Sequence, residues 1–279
     1  MISLHTETRL FFSVVLVYGA SFLLYVVYLL LPRILGRGRG AFMVLILGTL
    51  LHTALIVLRT TEARYPPFQT LYESLSWFAY SAAVCFAFVE WRRMVHLSGA
   101  IVTGIAIAAC LYAIFGQSNA IKPLPPALQS DWFIWHVVVA FSSYAIFVVA
   151  FAVEIVYLLA RGRGGRYGFD ESQMRLFHRM AYNLILFGFP LLTFGIVSGA
   201  AWAQVAWGRY WSWDPKETWS LITWSVYALY LHAKVTPAWT QRRASILNIL
   251  GFVCMILTFL GVSWLAKLFH IPSLHVYTV

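Results

Sequence analysis

Eight apolar runs, punctuated by Gly, Pro and charged residues, organise the chain at about 10–32, 41–58, 74–91, 96–115, 132–160, 180–201, 216–233 and 244–266. A helix needs about 20 apolar residues to cross the ~30 Å hydrocarbon layer of a bilayer, and each run is close to that length. Inside that layer no water is at hand for N–H and C=O groups, so a spanning segment satisfies them within itself, as a helix. The pattern predicts an all-α polytopic membrane protein of about eight transmembrane helices, with residues 1–279 forming a single integral membrane domain. The first run begins near the N-terminus without a small-residue cleavage site and reads as a retained helix, not a signal peptide. The longest connections fall near 59–73, 116–131, 161–179 and 202–215, and no internal repeat is visible.

Composition agrees. The chain is 61% hydrophobic and 11% charged, whereas a soluble domain carries about 25% charged residues. The net charge of +10 would suit nucleic acid. Its arginines, however, sit in short loops beside apolar runs, including the Arg-Gly stretches at 36–40 and 161–166, where they orient spans and meet anionic lipid. Nucleic acid is therefore excluded as a partner and the lipid bilayer takes its place. An even number of spans puts both termini on one side. The loops at 33–40, 92–95, 161–179 and 234–243 hold 13 Lys and Arg, against 7 in the other set with the termini. Positive-inside reasoning then places both termini on the outer (periplasmic or lumenal) side. Cys85, Cys110 and Cys254 lie singly in apolar runs without a Cys-x-x-Cys pair, which assigns them to packing.

One segment departs from this uniform texture. Trp202 to Trp219 reads WAQVAWGRYWSWDPKETW and holds Trp202, Trp207, Trp211, Trp213 and Trp219 of the 12 tryptophans. Tryptophan is common at membrane interfaces, but a generic belt spreads over many helix ends. Indoles crowded with Gly208, Arg209, Asp214, Lys216 and Glu217 suit a flat aromatic macrocycle bearing carboxylates: ring faces stack, and Arg209 or Lys216 meets the carboxylates. The exit is also legible. Asp214 stands at an N-cap, Pro215 at the first helical position and Glu217 at the third, which assigns both acids a structural role beside any contact with a ligand.

The run Trp207-Gly208-x-x-Trp211-x-Trp213-Asp214-Pro215-Lys216-Glu217 resembles the WWD signature of the heme-handling proteins CcsA (ResC), CcmC and CcmF. The likeness to CcsA extends further. WSLITWSVYALYLH at 219–232 resembles the span that follows the signature; LQSDWFIWHVVVAFSSYA at 128–145 resembles the helix with an outer-face histidine; Leu274-His275-Val276-Tyr277 resembles the last His motif. PFQTLYES at 67–74 is similar to a CcsA segment ending Asn-x-Tyr-Glu-Ser, with Thr70 in place of Asn. The resemblance covers most of the chain, and eight spans suit the compact CcsA proteins better than CcmC or CcmF.

What the resemblance implies is a system II cytochrome c biogenesis protein that exports heme and presents it on the outer face for covalent attachment to the Cys-x-x-Cys-His segment of an apocytochrome c. Residues 202–217 would be the outer-face tryptophan-rich heme-binding loop, with Trp207, Trp211, Trp213, Asp214, Arg209 and the flanking histidines as its contacts. The cargo would be heme b with iron held by imidazole. His136 and His275 would ligate it at the outer site, with His270 an alternative to His275. His232, about 25 Å further along a straight helix from Pro215, would ligate a second, intramembrane heme together with a histidine from a partner. His52, inside the second run, has two open roles: a further heme contact or a hydrogen-bonded core residue. A CcsB (ResB)-type membrane subunit is the implied partner, thiol-reducing proteins act indirectly, and the complete heme lyase is expected to be the complex. The bacterial cytoplasmic (inner) membrane is the expected location, with the thylakoid membrane as the other. The alternative is CcmC-like delivery of heme to a chaperone without thioether formation. A transporter of another substrate asks for buried acidic groups and paired broken helices; Glu90 and Glu154 both fall near inner helix ends, which counts against it.

Overall fold

The computed structural model describes residues 4–31, 39–93, 95–162, 171–236 and 240–262. Among these residues there is no strand. The helices are α1 (Leu4–Leu30), α2 (Arg39–Ala63), α3 (Leu71–Arg93), α4 (Gly99–Gly116), α5 (Asp131–Gly162), α6 (Glu171–Trp207), α7 (Pro215–Val235) and α8 (Gln241–Ile256), the last running into a π-helical turn at Leu257–Gly261. Each expected run corresponds to one of these helices over its described residues. Among the described residues six segments are long and apolar enough to cross a membrane: Thr6–Leu30, Arg39–Ala63, His96–Gly116, Asp131–Arg161, Met174–Trp207 and Gln241–Gly261. The protein is a polytopic membrane protein on this ground. Helices α3 and α7 are more polar, because each combines end charges with hydroxyl residues such as Ser74 and Ser76 or Thr218 and Thr223.

Two boundaries differ from expectation. α6 begins at Glu171 and ends at Trp207, outrunning the expected 180–201 at both ends. Nothing between Ser172 and Met180, or between Ala201 and Trp207, breaks a helix, and hydropathy registers only the apolar part of a long amphipathic one. The second difference follows from the first: residues 202–207 of the expected loop are the last turns of α6, and the connection proper is 208–214.

The described chain forms two compact units, one up to Leu124 and the other from Pro125 onward, separated in sequence by a stretch containing Pro123, Pro125 and Pro126, which cannot continue a helix ladder. In the first unit α1 buries Glu7, Phe11, Val14, Tyr18, Ser21 and Tyr25, spaced alternately by four and three as one face of a helix requires. Tyr18 and Ser21 meet α2, where the Ser21 hydroxyl donates to the Ala41 carbonyl at 3.0 Å. At one end Arg59 is buried between carboxylates. Its Nη1 donates to Glu7 at 2.8 Å and to the Asn119 carbonyl at 2.8 Å, and its Nε donates to Glu73 at 2.9 Å. Arg59, which opens the connection expected at 59–73 and counts among the 7 Lys and Arg of that loop set, is thus a core residue of α2, and buried acidic groups do exist: Glu7, Glu73, Glu90 and Glu154 are all enclosed. Sequence position near a helix end concealed this, because burial there depends on neighbouring helices. Thr70 caps α3: its hydroxyl accepts from Glu73 N at 3.2 Å, and Glu73 accepts from Thr70 N at 3.1 Å. Asn and Thr both serve as N-caps, so the departure from the family segment preserves the local chemistry.

In the second unit α5 and α6 pack along small residues. Gly188 faces Phe147, Gly195 faces Ala140, and Gly199 faces His136, the close approach that small residues permit between membrane helices. The Ser143 hydroxyl donates to the Gly188 carbonyl across this seam at 3.1 Å. Tyr227 of α7 stacks on Phe147 with ring centroids 3.9 Å apart, which joins α7 to α5.

Candidate functional site

The connection between α6 and α7 is built by three local devices. Gly208 adopts φ +75°, and its N–H donates to the Gln204 carbonyl at 3.0 Å, closing α6 with the left-handed residue that glycine tolerates best. Asp214 caps α7, accepting from Lys216 N at 2.9 Å. Glu217 reaches back to the cap as the capping box requires, and does more: one oxygen, Oε2, accepts from Asp214 N at 3.1 Å and from Ser212 N at 2.8 Å. The residue between those two amides is Trp213, which has φ +58°. A bulky side chain rarely takes this conformation, at a cost of about 1–3 kcal/mol. The carboxylate of Glu217 grips the backbone on both sides of Trp213 and holds it there. The indole consequently stands out, 68% exposed, edge-on to half-buried Trp211 with centroids 5.8 Å apart at 89°.

Beneath the connection lies His136. Its Nδ1 is 2.7 Å from the Gly195 carbonyl oxygen; a carbonyl only accepts, so Nδ1 carries the proton and the lone pair resides on Nε2. This is the second-sphere arrangement that orients a ligating imidazole. Trp202 lies parallel to the ring at 6.1 Å and 13°, and is itself fixed by Nε1–H donation to the Ala127 carbonyl at 2.7 Å. Trp207 meets Trp202 edge-on at 4.8 Å. A chain of aromatic contacts therefore runs from His136 through Trp202 to Trp207, at the start of the connection that carries Trp211 and Trp213.

Of the residues singled out in the sequence, His136, Trp207, Trp211, Trp213, Asp214 and Arg209 belong to this end of the second unit, with Arg209 exposed. His232 is exposed on the last turns of α7, a continuous helix that carries it about 25 Å along the axis from Pro215. His52 belongs to the first unit and is fully buried; Nδ1 is 3.2 Å from the Tyr18 hydroxyl and Nε2 2.9 Å from the Ser76 hydroxyl. Of its two open roles, these surroundings satisfy the hydrogen-bonded core one. His275 and His270 lie outside the described residues.

Sequence reasoning gave no part to Trp202, Gly195 or Gly199 in holding His136. The Gly-x-x-x-Gly spacing of 195–199 was the available signal, since small residues four apart mark close helix contact in membranes. Glu217, placed correctly at the third helical position, was not connected to Trp213. We expect Glu217→Ala to release Trp213 from its left-handed conformation and Glu217→Gln to retain it, because one carbonyl oxygen suffices for both amides. Hydrogen exchange of the peptide spanning 209–216 checks this; equal protection in Glu217→Ala and the parent would sink the idea.

Comparisons with known proteins cover most of the chain. A family model described as "Cytochrome C assembly protein" matches residues 14–270. The chain is 36% identical over 248 residues to "Cytochrome c biogenesis protein CcsA" of Guillardia theta, covering 81% of this chain and 82% of that one. It is 32% identical over 293 residues to the CcsA of Porphyra purpurea, covering 90% and 92%, and 37% identical over 253 residues to that of Parasynechococcus marenigrum strain WH8102, covering 80% and 83%. Among solved structures, "Cytochrome c Heme Lyase CcmF" superposes with a TM-score of 0.67 at 18% identity, over 93% of this chain and 48% of that one. The latter likeness shows a shared fold over about half of the larger protein.

Proposed function

Because the chain belongs to the cytochrome c assembly protein family and is a CcsA-type cytochrome c biogenesis protein, we propose that it exports heme b and presents it on the outer face for attachment to apocytochrome c. The observation that carries this reading is His136, held in one tautomer by Gly195 and backed by Trp202 below the tryptophan connection. An imidazole with its lone pair on Nε2 is the form that binds iron.

In this reading all eight helices span the bilayer, with both termini and the connection 208–214 outside. Heme enters at the cytoplasmic side near His232, whose exposed position suits a second axial imidazole from a CcsB-type partner. It then moves outward to a site ligated by His136 and His275, covered by Trp207, Trp211 and Trp213, with Arg209 available to the propionates. Each thioether forms by addition of a cysteine S–H across a heme vinyl group: the sulfur bonds one vinyl carbon, the proton ends on the other, and no oxidant is consumed. The protein positions the reactants and keeps competing oxidation away. Thiol-reducing proteins maintain the apocytochrome cysteines. The bacterial cytoplasmic membrane is the proposed location, and cyanobacterial and algal relatives keep the thylakoid in view. Length also favours this over CcmC-like delivery, since the chain covers 82% or more of the CcsA relatives above.

The test is the absorption spectrum of the chain copurified with a CcsB-type partner. Heme with a low-spin, bis-imidazole spectrum is expected. His136→Ala and His275→Ala should weaken one population, and His232→Ala a different one. A complex that carries no heme under ample supply would overturn the proposal.

A further inference from the structure

At the end of the second unit opposite the tryptophan connection, a buried carboxylate sits among groups that the heme reading does not use. Glu154 of α5 is 0% exposed. It accepts from the Ser245 hydroxyl and from Asn248 Nδ2, the latter at 3.3 Å, both on α8. His178 of α6 approaches with Nδ1 3.8 Å from Oε1, and the other ring nitrogen of His178 is contacted by Lys234 of α7. Tyr157 stands beside the imidazole, with centroids 5.1 Å apart, and Arg161 donates to the Tyr157 hydroxyl at 3.3 Å. Further inside, the hydroxyls of Tyr227 and Tyr230 and the Oδ1 of Asn248 are enclosed and have no hydrogen-bond partner among the described residues.

We propose that Glu154 is a proton-uptake site inside the second unit, fed through His178 from the end opposite the tryptophan connection. Two of these buried, unpartnered atoms, Asn248 Oδ1 and the Tyr230 hydroxyl, lie near the carboxylate and mark a place for rearranged hydrogen bonds or internal water, since such atoms are rarely left unsatisfied. Ser245 supplies the switch. With Glu154 ionised, its hydroxyl donates to Oε1. With Oε1 protonated, the hydroxyl donates instead to the Gln241 carbonyl at 3.1 Å and accepts the new O–H. Both protonation states fit the same packing.

The step is a proton transfer alone. His178 passes its Nδ1 proton to Glu154 Oε1 and regains one at the other ring nitrogen from the Lys234 ammonium that contacts it, which water recharges, leaving a neutral acid and a neutral imidazole. Such a site would take up a proton as heme iron in the same low-dielectric unit gains an electron, offsetting the added charge. That coupling rests on the heme reading above; the proton site does not.

Infrared difference spectra of the full chain in lipid, recorded after a pH jump with and without a CcsB-type partner, test the site directly. We expect a carboxylic acid C=O band that shifts in D2O and is missing in Glu154→Gln, and whose appearance His178→Gln slows tenfold or more. Should Glu154→Gln fail to fold, Ser245→Ala and Asn248→Leu should change the pH at which the band appears. A band unaltered by these substitutions, or its absence in the parent chain at every pH at which it stays folded, would overturn the proposal. In the heme-loaded complex the midpoint potential should vary with pH, and this dependence should flatten in Glu154→Gln. If no heme binds, the infrared result still decides the proton site; if heme binds and the band is absent, only the proton site fails.

Discussion

Gly199→Ala should lower heme retention at the tryptophan end of the complex by about 10- to 100-fold, the range typical of disturbed second-sphere partners of a metal ligand. A Cβ at Gly199 would lie 2.7 Å from His136 Nδ1 and 2.8 Å from Cε1. The backbone cannot readily yield, because α6 is already close to α5 at Gly195 and Gly188. The imidazole must therefore swing away, and it loses the bond to the Gly195 carbonyl that places its lone pair on Nε2. Gly195→Ala is the internal control: its Cβ would meet Ala140 at 3.5–3.6 Å, ordinary contact, so heme should stay. Heme per complex is measured by absorption after purification with a CcsB-type partner, with a melting curve to confirm folding. Full heme content in Gly199→Ala would remove His136 from the iron site.

Arg59→Met should destabilise the first unit by about 3–5 kcal/mol, the cost of removing one partner from a buried ion pair. Methionine keeps much of the length of the side chain while deleting the guanidinium, so Glu7 and Glu73, 1% and 0% exposed at their side chains, would lose their common cation. Packing loss is a lesser effect here than uncompensated charge. The triple variant Glu7→Gln, Arg59→Met, Glu73→Gln should recover most of the loss, since it removes the charges together. Denaturant or thermal unfolding in mild detergent compares the three proteins. An Arg59→Met midpoint equal to that of the parent would show that the pair contributes nothing measurable.

Reading the chain without its structure located all eight α-helices of the described residues, because hydropathy over about 20 residues is a local property and a bilayer demands it. It located the start of α7 for a similar reason: Asp214, Pro215 and Glu217 act on amides within three residues of one another. The same reading overlooked the length of α6, whose polar first turns carry no apolar signal. It also left Arg59 among the loop cations, since only the arrival of α1 and α3 on either side of α2 encloses that side chain.

For the site the division is similar. WWD-like residues and candidate histidines were legible from composition and resemblance, and Gly208 announced the end of α6. What they did together was not. His136 and Gly195 are 59 positions apart, and no spacing rule links an imidazole to a distant carbonyl. Glu217 is local to Trp213, yet its second amide bond required knowing that Trp213 turns left-handed.

The sequence by itself determined the membrane-spanning helical architecture, the family and the capped entry into α7, all of which depend on composition or on bonds within one helical turn. Only the tertiary structure decided the tautomer of His136, the buried charges around Arg59 and Glu154, and the stance of Trp213. Those depend on which backbone and side-chain groups distant segments bring within hydrogen-bonding distance, and on how far neighbouring helices remove them from water.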